Sequence, residues 1–457
     1  MSALASPSRR TFPPGPFGLK ASATMRGAQA RPLETFVTLR ETYGDVVRTG
    51  LGGPLTYYLV FNPAGAEHVL AHHHKNYRKG AVNAQFRVLD GEGLVTSEGD
   101  FWVRQRRLAQ PAFHRQRLEG LGAIMASAAV GLAARWELAA HESRVFDVEP
   151  ELMRVTLEVA GRTLFGVDLS EEARHLSPAV DVARDYITWR MFRPYLPSWL
   201  PTPRHQAFLK ARKTLDEVVY GIIRDRRRTG ADPGDLLSML MAARDEETGE
   251  GMTDLQLRDE VMTLLMAGHE STAVALTWAV YLLASHSEVQ VRIQEEVTEV
   301  LGSRTVTSGD LPRLPYTRAV FEETLRLYPP AWALSRQAIQ EDEICGYRIP
   351  AGGYVTLSPY VTQRHPDLWP DPNRFDPTRF LGEPPANRPR YAYFPFGGGP
   401  RKCIGLQFAL MEAQIMLATL IQRFELHLAS PEFPGTEALL SLRPKQGVLV
   451  RLRERKQ

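Results

Sequence analysis

Cysteine is nearly absent: Cys345 and Cys403 are the only two in 457 residues. They lie far apart in unlike surroundings, which excludes a disulfide framework and any zinc centre built from several thiolates, and a reducing cytoplasm is the expected location. Nowhere does the chain carry the roughly eighteen uncharged apolar residues in a row that mark a membrane span. Charge of one sign is scarce too, since 55 Lys and Arg stand against 52 Asp and Glu for a formal net charge of +3. No whole-chain field therefore argues for a nucleic-acid partner. Repeats, low-complexity blocks and glycine-rich flavin or nicotinamide fingerprints are missing as well. What is present is apolar material, 44% of residues, enough for a large core.

Ser8-Arg9-Arg10-Thr11-Phe12 superficially resembles a twin-arginine signal, but Pro13, Pro14, Gly15 and Pro16 stand where an apolar region should follow, so export is not expected. Residues 1–30 read as a Pro/Gly-rich leader and 31–457 as one domain. β-Branched and aromatic runs at 46–48 and 57–61 predict a small hairpin. Apolar spacings of three and four make residues 64–330 chiefly helical, strands return near 347–349 and 354–357, and a proline-punctuated loop covers 358–400. A last helix is predicted to begin near Cys403 and reach about Phe424. The fold class is mainly α with a small β region. Thr253 followed by Gln256 predicts a capping box opening a long helix through Glu270 and Trp278 to about Ser285. The helix over 315–328 must stop at Pro329-Pro330.

Chemistry concentrates in Phe396-Gly397-Gly398-Gly399-Pro400-Arg401-Lys402-Cys403-Ile404-Gly405. Glycines permit close backbone approach to a bulky planar ligand, and a cysteine opening a helix is favoured as thiolate. Alone, such a cysteine reads better as a buried structural thiol. With Phe396, Gly399, Arg401, Cys403 and Gly405 all in place, however, the stretch resembles the haem-binding loop of the cytochrome P-450 family, which implies haem b with Cys403 as axial ligand. The family fold sets haem between the long Glu270 helix and the helix after the cysteine.

Other segments extend the resemblance over nearly the whole chain. Glu323 and Arg326 share a helix face and resemble the family's E-x-x-R, with Arg379 in Pro377-Thr378-Arg379-Phe380 as third member of a structural charge triad. Thr378 stands where the family commonly has glutamate. Ala267-Gly268-His269-Glu270-Ser271-Thr272 resembles the family's oxygen-binding groove, which gives Glu270 with Ser271 or Thr272 the role of moving protons. Serine replaces the usual threonine at 271, losing the methyl that restrains its rotamer; a plain alternative is that Ser271 bonds back to its own helix. Trp102 and Arg106, four apart on a helix started by Asp100, match the family's propionate-binding W-x-x-x-R; Arg401 is the matching donor from the cysteine loop and Arg336 a weaker one. His72, His73 and His74 look like a metal cluster, but successive helical residues diverge by about 100°, so no shared coordination is expected. Cys345, in a turn-like Cys-Gly-Tyr, is expected to be inert.

The activity implied is monooxygenation of a hydrophobic substrate, with electrons from a separate ferredoxin- or flavodoxin-type partner and its reductase docking near Arg401 and Lys402. Residues 325–332 and 357–364 are similar to the carotenoid-ring hydroxylase of this family known from Thermus. Ala331, Trp332 and Leu334 follow the Pro-Pro break and are pocket candidates. The apolar, proline-rich stretch 191–203 is a candidate entrance lid or membrane-surface contact for a membrane-held carotenoid. Hydroxylation of a β-ionone-type ring, hydroxylation of a fatty acid or other terpenoid, and non-catalytic haem binding or electron transfer stand as the three readings. A monomer is expected.

Overall fold

The computed structural model describes residues 11–53, 55–167, 173–191 and 201–455. Arg9 and Arg10 of the twin-arginine resemblance, and most of the 191–203 lid, lie outside the described residues. Contacts group the chain into two compact units, the first comprising 1–80, 332–372 and 386–402 and the second 81–331, 373–385 and 403–457.

In the first unit, helices α1 (Ala21–Ala30) and α2 (Pro32–Tyr43) precede strands β1 (Val46–Gly52) and β2 (Leu55–Val60), which pair as the predicted antiparallel hairpin. Alternation places Val46, Tyr58 and Val60 in one apolar cluster and Val47, Leu59 and Phe61 in another, so both sheet faces are covered. β3 (Tyr77–Arg78), β4 (Leu334–Ala338) and β7 (Tyr354–Leu357) complete a five-stranded sheet in the order β1-β2-β7-β4-β3. β5 (Asp342–Ile344) and β6 (Tyr347–Ile349) form a separate hairpin whose tight turn puts Cys345 at a φ of 50°. Arg48 donates its N–H to the Pro14 carbonyl, Thr11 bridges Tyr347, and the Arg48 guanidinium lies 3.8 Å from the Phe17 ring centroid. Prolines that cannot donate are tolerated along such an edge, so residues 11–30 join the first unit.

The second unit is built on α3 (Gly99–Ala109), α4 (Arg115–His141), α5 (Val148–Leu164), α6 (Asp254–Ser285), α7 (Pro315–Leu327) and α8 (Leu406–Arg423), with further helices Ala173–Met191, Pro203–Thr229 and Ser287–Leu301. α6 starts at the predicted capping box: Gln256 N–H donates to Thr253 Oγ1 at 3.2 Å, and Thr253 N–H to Gln256 Oε1 at 2.9 Å. α7 begins on Pro315 at its first position and ends one residue before Tyr328. By length and hydropathy the described stretch Arg117–His141 of α4 is apolar enough to cross a membrane, although no long uncharged run marks it. Arg135 and Glu137 interrupt it, and its Leu132, Ala133 and Trp136 are buried against α5, α8 and the strands below. Four strands after α8 were not expected: β8 (Phe424–Leu428), β9 (Thr436–Ala438), β10 (Leu442–Pro444) and β11 (Leu449–Glu454). β8 and β11 pair with alternating burial, whereas β9 and β10 are three-residue strands too short to show a period.

Candidate functional site

Cys403 lies in the second unit with its thiol exposed. α8 begins at Leu406 with Gly405 at its cap, so Cys403 precedes the helix instead of opening it, and Ile404 and Gly405 form the turn between. Half-buried Arg106 of α3 is its electrostatic neighbour. Burial pushes the Arg106 guanidinium down, and the Cys403 charge acts in the opposite direction. Trp102, one turn earlier on α3, is also half-buried. An accessible sulfur with a guanidinium among its electrostatic neighbours favours the thiolate that haem iron ligation requires, and these residues fit that group.

α6 buries every residue from Leu257 to Leu283 except Met266, Ala267, Gly268, Ser271 and Tyr281. Ala267 and Ser271, four apart, are exposed on one face in mid-helix. Ser271 donates to the Ala267 carbonyl at 2.9 Å and Thr272 to the Gly268 carbonyl at 3.1 Å, so both hydroxyls bond back to the helix. Glu270 points elsewhere: it is 5% exposed and accepts a hydrogen bond of 2.6 Å from Ser441. The Glu149 carboxyl is pushed up mainly by its own burial, and Glu270 is among the charges adding to the push. Adjacent His269 is buried, bonds its Nδ1 to the Leu265 carbonyl, and is pushed down chiefly by desolvation. It is therefore a neutral wall beside the carboxylate.

Ser441 owes its position to the aromatic anchor below it. Trp278 Nε1 donates to the Leu442 carbonyl at 2.8 Å, Leu442 N–H donates to the Pro330 carbonyl at 3.0 Å, and Trp278 stacks on Tyr328 at 3.8 Å. The β9–β10 turn is thereby pinned to α6 and to the end of α7. A second tie had no sequence signal either. Asp259 Oδ2 accepts from Glu92 N–H at 2.8 Å and Glu260 Oε2 from Leu94 N–H at 3.2 Å, fastening the segment that leads into α3.

The charge triad is assembled without exposed surface at Glu323 or Arg326. Arg326 donates through Nε and Nη2 to both Glu323 oxygens at 2.6 and 2.7 Å, Arg379 Nε lies 3.4 Å from Oε1, and Asp376 N–H donates to Oε1 at 2.9 Å. Arg326 Nη2 also donates to the Arg374 carbonyl at 3.1 Å, so the triad fixes the 374–379 turn. Asp376 caps that turn, its Oδ1 accepting from both the N–H and the hydroxyl of Thr378, which stands where glutamate is usual.

Within the first unit the cysteine loop shows why its glycines are needed. Gly397 and Gly399 have φ of 68° and 64°. A Cβ on Gly399 would sit 1.7 Å from the Leu70 carbonyl oxygen, and one on Gly398 would sit 2.3 Å from the Tyr391 ring. At Gly398 and Gly399 the missing side chains admit neighbouring protein atoms. Phe396 and Arg401 are half-buried. Arg336 lies on β4 with Nη1 bonded to its neighbour's carbonyl, Ser335 O, at 2.8 Å. Half-buried Trp332 packs its ring 5.8 Å from Phe36, and Leu334 packs against the β-sheet cluster, while Ala331 belongs to the second unit. Burial pushes the thiol of Cys345 up.

Comparison with known proteins agrees with this geometry. The family description "Cytochrome P450" matches residues 13–450. Cyclooctat-9-en-7-ol 5-monooxygenase of Streptomyces melanosporofaciens is 38% identical over 89% of this chain and 86% of its own. Protein LUTEIN DEFICIENT 5, chloroplastic, of Arabidopsis thaliana is 32% identical over 86% and 70%. The crystal structure of the cytochrome P450DA heme domain is 28% identical, with a TM-score of 0.89 over 98% of both chains. The chain belongs to the cytochrome P450 family. Its fold is the mainly α P450 fold, its activity is that of a monooxygenase, and its cofactor is haem b with an axial cysteine thiolate, Cys403.

Proposed function

We propose that this monooxygenase hydroxylates the β-ionone-type ring of a carotenoid. The observation that carries the substrate class is the pair of segments 325–332 and 357–364, similar to the carotenoid-ring hydroxylase of the family. A smaller polycyclic terpenoid is the second reading, favoured by the 38% identity to an enzyme named for an alicyclic alkenol. Haem supplies the activation of dioxygen that one-atom insertion into a C–H bond requires. Residues 31–457, to which residues 11–30 add an edge of the first unit, act as one haem-thiolate domain in the cytoplasm, where peripheral contact with a membrane would give access to the substrate, and a ferredoxin or flavodoxin with its reductase delivers electrons near Arg401 and Lys402.

The chain's own groups divide the remaining work. Trp102, Arg106, Arg401 and Arg336 are the residues that would hold the propionates through charge-assisted hydrogen bonds, and Phe396 and Gly399 would shape the loop. Glu270, which accepts from Ser441, moves protons with the hydroxyl of Ser271 or of Thr272 once its side chain turns from Ser441 toward the Ala267–Ser271 face. Glu323, Arg326 and Arg379 hold the meander. Ala331, Trp332 and Leu334 border the substrate. Pigment mass analysis of a β-carotene-producing bacterium, with and without the protein and a ferredoxin system, tests the reading. A ring-hydroxylated product lost with Cys403→Ala supports it; no product from haem-loaded, reduced protein moves the assignment to another terpenoid or a fatty acid. Glu270→Gln should slow product formation on the order of 100-fold with haem content unchanged, and an unaltered rate would remove Glu270 from the relay.

A further inference from the structure

The histidine run 72–74 does not act as a run. His72 faces Glu67 at 3.8 Å, and His74 Nδ1 donates to the Ala71 carbonyl at 2.7 Å. His73 instead meets a residue five positions earlier. The chain from His68 to His72 forms a π turn, closed by the His73 N–H donating to the His68 carbonyl at 2.8 Å. In an α-helix, residues five apart point about 140° away from one another. The wider turn brings the His68 and His73 rings together, stacked at 3.9 Å with 16° between planes. Such turns are rare and collect at functional sites.

Both rings face one carboxylate. His68 Nε2 is 2.9 Å from Asp342 Oδ2, and His73 Nδ1 is 3.9 Å from Asp342 Oδ1, with all three ligand atoms within 4.8 Å of one another. We propose that His68, His73 and Asp342 form a binding site for a borderline divalent transition metal, of which zinc is the type. The geometry supports this. Metal–ligand bonds of about 2.0–2.1 Å at tetrahedral angles put donor atoms about 3.3 Å apart, and the two observed separations of 2.9 and 3.9 Å bracket that value. Two imidazoles with one carboxylate suit zinc, cobalt or nickel, and exclude magnesium and calcium, which take oxygen. Asp342 is also oriented from outside the triad: Tyr77 donates its hydroxyl to Oδ2 at 2.7 Å, and Glu343 N–H donates to Oδ1 at 2.8 Å. That is how a ligating carboxylate is aimed. Water completes the coordination on the exposed His73 side.

A bound ion would tie the π turn to the β5–β6 hairpin. Leu70 of that turn is the residue whose carbonyl abuts Gly399, so the ion would brace one wall of the cysteine loop from within the same unit. The test uses the haem-loaded full-length chain, with Zn2+ titrated against a competing chromophoric chelator. One zinc per chain is expected at about micromolar free metal or tighter, with affinity falling as pH drops through the imidazole range because the ligands must be deprotonated. His73→Ala, at a half-exposed ring, should weaken binding by roughly tenfold or more, and Asp342→Asn likewise; His72→Ala and His74→Ala should leave it unchanged. Failure to retain zinc, or zinc retained unchanged in His73→Ala, would overturn the site.

Discussion

Glu323→Gln and Arg326→Leu break the same buried ion pair in two ways that differ in their response to pH. Glu323→Gln leaves the Arg326 guanidinium, fully buried, without its anion, and arginine cannot shed its proton. The Arg374 carbonyl still accepts from it at 3.1 Å but neutralises no charge. Removing one partner of a buried pair costs about 3–5 kcal/mol, and for this variant the loss should be flat at pH values above the window in which the parent's Glu323 itself titrates, because arginine keeps its proton there. Arg326→Leu strands a carboxylate instead, which a proton can relieve. Burial already pushes the Glu323 carboxyl up, against the pull of Arg326, the Asp376 amide and Arg379. Without Arg326, burial dominates further. A folded pKa above the unfolded value of about 4.3 means that the folded chain holds the proton in the window between them, so stability falls as pH rises through that window. Arg326→Leu should therefore lose a similar ~3–5 kcal/mol near neutral pH and regain about 1.4 kcal/mol per pH unit on descent through the window. Urea unfolding followed by far-ultraviolet circular dichroism at several pH values reads both curves. Equal losses from the two variants at every pH would refute the reasoning, since a pair acting through packing alone has no reason to titrate.

Three further outcomes are expected. Ser441→Ala removes the hydroxyl 2.6 Å from Glu270; product formation should slow and its pH profile shift with haem content unchanged, and an unmoved profile would make Ser441 merely structural. Gly399→Ala forces a Cβ to 1.7 Å from the Leu70 carbonyl at a φ of 64°, so haem retention should fall sharply, and retention at the parent level would show that the loop yields freely. Ser271→Thr should raise the yield of product per electron consumed, because the added methyl restrains the hydroxyl rotamer; unchanged or greater hydrogen peroxide leakage counts against the relay geometry.

Local patterns were the legible part. The Thr253–Gln256 box starts α6 where its chemistry predicts, because a cap is satisfied by residues three apart, and Pro329-Pro330 ends α7 for an equally local reason. Glu323 and Arg326 could be paired by helical spacing, and Arg379 joined them through family resemblance. Ser441 was illegible because it meets Glu270 across 171 residues, placed by an indole bond that no periodicity encodes. The π turn escaped because an α-helical period separates His68 from His73. Gly398 and Gly399 were located, but their contacts with Tyr391 and Leu70 had no signal, since a glycine reports that something comes close without saying what.

The clasp between α6 and residues 91–94 bears on how this enzyme can be re-engineered. Gly93 fits only because a Cβ there would fall 2.1 Å from Thr263 Oγ1, and Glu92 and Leu94 hang from Asp259 and Glu260. Exchanging the 259–272 stretch with that of a relative, the obvious graft for altering oxygen handling, would unhook the approach to Trp102 and Arg106 while leaving α6 itself intact. A working chimera must carry the 91–94 segment along as part of the same cassette.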